Sequence, residues 1–107
     1  MKIGIVLNTD DVETCWNVLR LANGALQDKN HVEIFLLGKG VLLEDVKSRK
    51  FNIEELVREF KKNKGIIRAC GTCLSLRKKK VCGIGEVSNV KELVKMMETY
   101  DKVLTFN

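Results

Sequence analysis

Proline is absent from the chain. No cis-prolyl turn can brace an active-site disulfide, which argues against a thioredoxin-like dithiol site. Histidine occurs once, as His31. Its place at the start of an expected strand reads as a surface or strand-edge residue and not as a ligand or general base. No apolar run approaches the ~20 residues that a membrane-spanning helix needs. The apolar opening, residues 1–7, gives way at once to Asn8, Thr9, Asp10 and Asp11, too early for a signal peptide. Linkers, repeats and low-complexity segments are also missing. These absences predict a soluble, cytoplasmic protein with no membrane partner.

What is present suits one globular domain over residues 1–107, with 45% apolar and 31% charged residues, enough to bury a core but too small for two. The net charge of +5 is spread thinly, because acidic residues are interspersed nearly everywhere. The dense basic run is Arg77, Lys78, Lys79 and Lys80, a local patch suited to an acidic partner. It lacks interleaved aromatics for base stacking, so nucleic acid is not the expected partner. Four cysteines in a chain without an export signal argue for metal binding or thiol chemistry over a disulfide framework.

Hydrophobic period changes along the chain and predicts alternating strands and helices. Residues 2–7 read as a central strand. Residues 10–29 read as a helix with Cys15, Trp16, Leu19 and Ala22 on one face and Asp10 with Glu13 as its capping box. A second strand over 31–37 ends at Gly38, Lys39 and Gly40, where the backbone can turn. A helical turn is expected at 41–46. Asn52 and Glu55 open a helix whose inward face is Ile53, Leu56, Val57 and Phe60, and residues 63–65 stop it. A buried strand over 66–69 runs into a tight turn carrying Cys70 and Gly71, and a short basic helix starts near Thr72. Residues 81–87 form a loop or a short edge strand. Asn89 and Glu92 cap a last helix with Val90, Leu93, Val94 and Met97 inward, and 102–106 is a final strand. The alternation predicts an α/β fold with a mainly parallel sheet of four to five strands, covered on both faces through right-handed crossovers.

Cys70 ends a parallel strand, where α/β proteins place their sites. Arg68, Arg77 and Lys78 lie close by in sequence, and Gly71 with the amides of the next helix faces the sulfur, so a thiolate is favoured over a thiol. Cys70 is therefore expected to be the reactive group, and Cys73 its resolving partner one helical turn on. Cys82, between glycines, is a candidate accessory thiol that could fold back toward Cys70. Cys15, on the inward face of its helix, is expected to be structural. Three chemistries use such a C-x-x-C pair. Dithiol redox is one. Structural zinc is another, and would need Cys82 and either Cys15 or His31 to converge with the pair. The third is a sulfur carrier, in which one low-pKa cysteine accepts a sulfane sulfur and passes it to an acceptor thiol. A small-anion or nucleotide binding module built on Gly38, Lys39 and Gly40 stands beside them, although those glycines make no complete phosphate-binding fingerprint.

The strand-helix opening, the G-x-G turn at residues 38–40, and above all A-C-G-T-C-L-S-L-R at residues 69–77 resemble the DsrE/DsrF-like (TusD-like) sulfur-relay family. The resemblance covers most of the chain. It implies a three-layer α/β/α sandwich and a persulfide carried on Cys70; no cofactor and no metal are expected. It also implies a homo-oligomer, a trimer or hexamer, working between sulfur donor and acceptor proteins as a sulfurtransferase-like relay. Cys73 and the lysines at 78–80 depart from the pattern of single-cysteine relatives, many of which have glycine after the arginine.

Overall fold

An apolar run without alternation has to be covered on both faces, and the first two such runs of this chain lie near the middle of its sheet. The computed structural model describes residues 1–107. Its elements are β1 (Lys2–Leu7), α1 (Val12–Gln27), β2 (His31–Leu36), a 3-10 segment (Gly38–Asp45), α2 (Ile53–Lys62), β3 (Ile66–Cys70), α3 (Gly71–Leu76), β4 (Glu86–Ser88), α4 (Val90–Thr99) and β5 (Lys102–Phe106). The five strands form one sheet in the order β4-β3-β2-β1-β5, with every neighbouring pair parallel.

Right-handed crossovers decide which helix covers which face. The steps from β1 to β2, β3 and β4 all run one way, so α1, the 3-10 segment, α2 and the start of α3 share a face. There Ile5, Leu7, Ile34 and Leu36 of the sheet meet Leu19 of α1 and Phe60 of α2 in the larger core. The return from β4 to β5 crosses the whole sheet and places α4 alone on the other face. The smaller core on that side joins Val6, Phe35 and Cys70 to Leu93 and Met96.

The sheet is wholly parallel, with the fifth strand present. Residues 81–87 resolve into a loop and the three-residue edge strand β4. The expected turn at 41–46 begins earlier, directly at Gly38. The cap of α1 is Asp11, one residue beyond Asp10, because the Asp11 carboxylate accepts from both the Thr14 amide (2.9 Å) and the Thr14 hydroxyl (2.8 Å). Asn52 precedes α2 but does not cap it with its side chain; its Oδ1 instead accepts from Trp16 Nε1 at 3.1 Å. Asn89 does cap α4, accepting from the Glu92 amide at 2.9 Å.

The inward face of α4 differs from the sequence expectation. Leu93 and Met96 are buried, whereas Val90, Val94 and Met97 stand 54%, 46% and 49% exposed. The helix carries apolar residues on two faces, and the sheet takes the one that meets Val6 and Phe35.

Candidate functional site

Strand alternation sends Ile67 and Ala69 of β3 into the larger core. Arg68 and Cys70, of opposite parity, face α4. Cys70 is sealed there at 1% exposure, among Val6, Phe35, Leu93 and Met96. Its backbone is also the N-cap of α3, with no hydrogen bond from the side chain to the helix. One turn later Cys73 is only half-buried and touches both cores. The Cys70 thiol is near enough to act on that of Cys73, at the carboxyl edge of the sheet where ligands of α/β proteins gather.

The donor that reaches the site comes from another element. The Gly38 amide donates to Cys73 Sγ at 3.2 Å. Two features of the G-x-G turn aim it. Gly38 has φ +54°, a conformation that a side chain would strain, and at Gly40 a Cβ would run into the Leu7 carbonyl. The Gly40 amide donates to the Leu37 carbonyl at 2.9 Å. Both glycine amides are thus engaged inside the protein, and Lys39 between them is exposed.

Burial pushes the Cys73 thiol above the ordinary 9.0, and the nearby Cys70 pushes the same way; the Gly38 amide, and to a smaller degree Arg77, pull it down. Arg77 is held close because its Nη1 donates to the Cys73 carbonyl at 3.0 Å. Gly71 and Thr72 open α3, and the expected hydrogen bond from that helix start to the Cys70 sulfur is not formed. Arg68 turns instead to Glu33, with Nε 4.0 Å from Oε1.

The basic run does not act as one patch. Lys79 pairs with Asp45 (2.6 Å) and Glu44 (3.7 Å), while Lys78 and Lys80 remain exposed. The apolar side chains of Leu76 and Val81 stand out beside them, 76% and 70% exposed. Cys82 does not join the pair: it is buried in the larger core, and burial raises its pKa. Cys15 is sealed under α1, its thiol pushed up to about 11 by burial and by Asp10 and Asp11. No three His, Cys, Asp or Glu side chains converge as a metal site would require, so the convergence needed for structural zinc does not occur.

A polar cluster on the α4 face was not anticipated. Glu33, buried at 4% exposure, accepts from the Tyr100 hydroxyl at 3.0 Å, and His31 Nε2 lies 3.0 Å from that oxygen. Burial first, and the Glu33 charge second, raise Tyr100 to about 12. Its signal in the sequence was a glutamate interrupting the apolar run of β2.

The sequence model of the DsrE/DsrF-like family matches residues 1–106. Among solved structures, the ychN protein of E. coli is 25% identical and superposes with a TM-score of 0.88, covering 99% of each chain. A conserved protein of unknown function from Bacteroides thetaiotaomicron shares the fold at 21% identity and a TM-score of 0.77, over 98% of this chain and 94% of its own. Among curated proteins, no sequence matches this chain.

Proposed function

The chain belongs to the DsrE/DsrF-like family, and from that membership we propose that it is a sulfur-relay protein whose Cys70 and Cys73 pair takes up a persulfide and hands it on. The observation that carries this reading is the half-buried Cys73 sulfur, held by the Gly38 amide at the carboxyl edge of a parallel sheet, with a second thiol nearby. A sulfur carrier needs one sulfur that a donor can reach, with a hydrogen-bond donor to receive the charge as the thiolate forms. Lys78, Lys80 and the exposed Leu76 and Val81 beside the pair suit an acidic partner with an apolar anchor. The proposal includes a cytoplasmic homo-oligomer, trimer or hexamer, exchanging sulfur with separate donor and acceptor proteins.

Dithiol redox chemistry is a second reading, supported by the same nearness of the two thiols. It needs both cysteines to turn over, whereas a carrier needs one. The test is the intact mass after incubation with a persulfide donor. A gain of about 32 Da per transferred sulfur is expected for the protein, and none for the Cys70→Ala/Cys73→Ala double variant. A folded, reduced protein that gains nothing overturns the relay.

A further inference from the structure

We propose that Cys73, and not the strand-end Cys70, is the attacking and sulfur-carrying group, and that the buried Cys70 is an internal thiol that discharges the carrier when no acceptor is docked. This rests on the relay reading for its chemistry, but its geometric basis is separate. An incoming persulfide must approach the attacked sulfur in line with the attacking one. Cys70, at 1% exposure beneath α4, offers no such approach. Cys73 is only partly buried and has its sulfur held by the Gly38 amide. The G-x-G turn thereby acquires a role: its left-handed Gly38 and tightly seated Gly40 hold an amide against the developing thiolate.

The steps balance without an outside oxidant. The Cys73 thiol gives its proton to water, and its thiolate attacks the terminal sulfur of a donor persulfide, R–S–SH. The new S–S bond forms as the donor's breaks, leaving Cys73 as –S–SH and releasing the donor as R–S⁻. An acceptor thiolate then takes the terminal sulfur and returns Cys73 to its thiolate. If no acceptor arrives, the Cys70 thiolate attacks Cys73 Sγ. A Cys70 to Cys73 disulfide forms and HS⁻ leaves, so the two cysteines are oxidised as the sulfane sulfur is reduced to sulfide.

The first measurement needs no sulfur donor. Native protein is treated with limiting iodoacetamide, and the modified cysteine is located by fragmenting the peptide that spans both residues, since Arg68 and Arg77 bracket them. Cys73 should react at least about tenfold faster than Cys70, the thiolate and the accessible sulfur being the ones alkylated. Equal rates, or Cys70 first, overturn the assignment.

The second uses a small-molecule persulfide. Cys73→Ser should take up no sulfur. Cys70→Ala, and Cys70→Ser as a check on the buried site, should load and hold the sulfur severalfold longer than the unsubstituted protein. The latter should release sulfide and end about 2 Da lighter than its reduced form. Loading by Cys73→Ser but not by the Cys70 variants sinks the inference and leaves the relay intact. Failure of the unsubstituted protein to load removes the relay, while the alkylation order still judges which sulfur is reactive.

Discussion

A thiol reacts according to what touches its sulfur, and the group that touches Cys73 lies 35 residues away in the chain. Strand-end placement and the C-x-x-C spacing were readable from the residues, as was the turn at 38–40. That the turn's amide lands on the second cysteine was not, because the meeting depends on β2 and β3 being neighbours in register. Arg68 misleads for a related reason: two positions from Cys70, it faces the same side of the sheet but reaches Glu33. Since burial raises the Cys73 pKa above 9.0, its thiolate is the minor form at neutral pH and grows as protons are lost. The alkylation rate of Cys73 is therefore expected to climb with pH and to pass half-maximum above pH 9.0. A plateau reached by pH 8 would show a thiol held below its ordinary value, with donors stronger than the Gly38 amide.

Elements were easier to read than their faces. α2 exposes and buries what its period demands, with Ile53, Val57 and Phe60 inward. In α4 the residues Val90, Leu93, Val94, Met96 and Met97 allow two apolar stripes, and sequence period cannot choose between them. The choice is made by Val6 and Phe35, which belong to other strands. Because α4 is the cover of Cys70, its stability governs that thiol. Asn89→Ala removes the acceptor for the Glu92 amide, a loss worth about 1 kcal/mol in helix caps. Cys70 should then be alkylated roughly fivefold faster by the corresponding shift in the opening equilibrium, and the melting temperature should fall. Cys73, reached without opening α4, should keep its rate. A parallel rise at both cysteines would mean that α4 covers neither selectively.

At the scale of the molecule, the strand order leaves both sheet edges open, with the three-residue β4 at one side and β5 at the other. The outward stripe of α4 adds exposed Val90, Val94 and Met97. Open edges and apolar faces call for cover, in line with the proposed homo-oligomer. Light scattering is expected to return a multiple of 12.1 kDa; a monomer mass at micromolar concentration contradicts it. The same strand order divides the protein's resistance to opening into two unequal parts. The larger core ties α1 and α2 to four of the strands, whereas the α4 side rests on Val6, Phe35, Cys70, Leu93 and Met96. The helix α4, residues 90–99, can therefore come away while the remainder stays folded. Cys70 would become visible in that partial excursion, and Cys15 only when the whole domain lets go. In a denaturant series, alkylation of Cys70 should accordingly depend less steeply on urea than that of Cys15, because the slope follows the surface exposed. Coincident slopes would make the domain a single unit, and Cys70 as well guarded as its deepest residue.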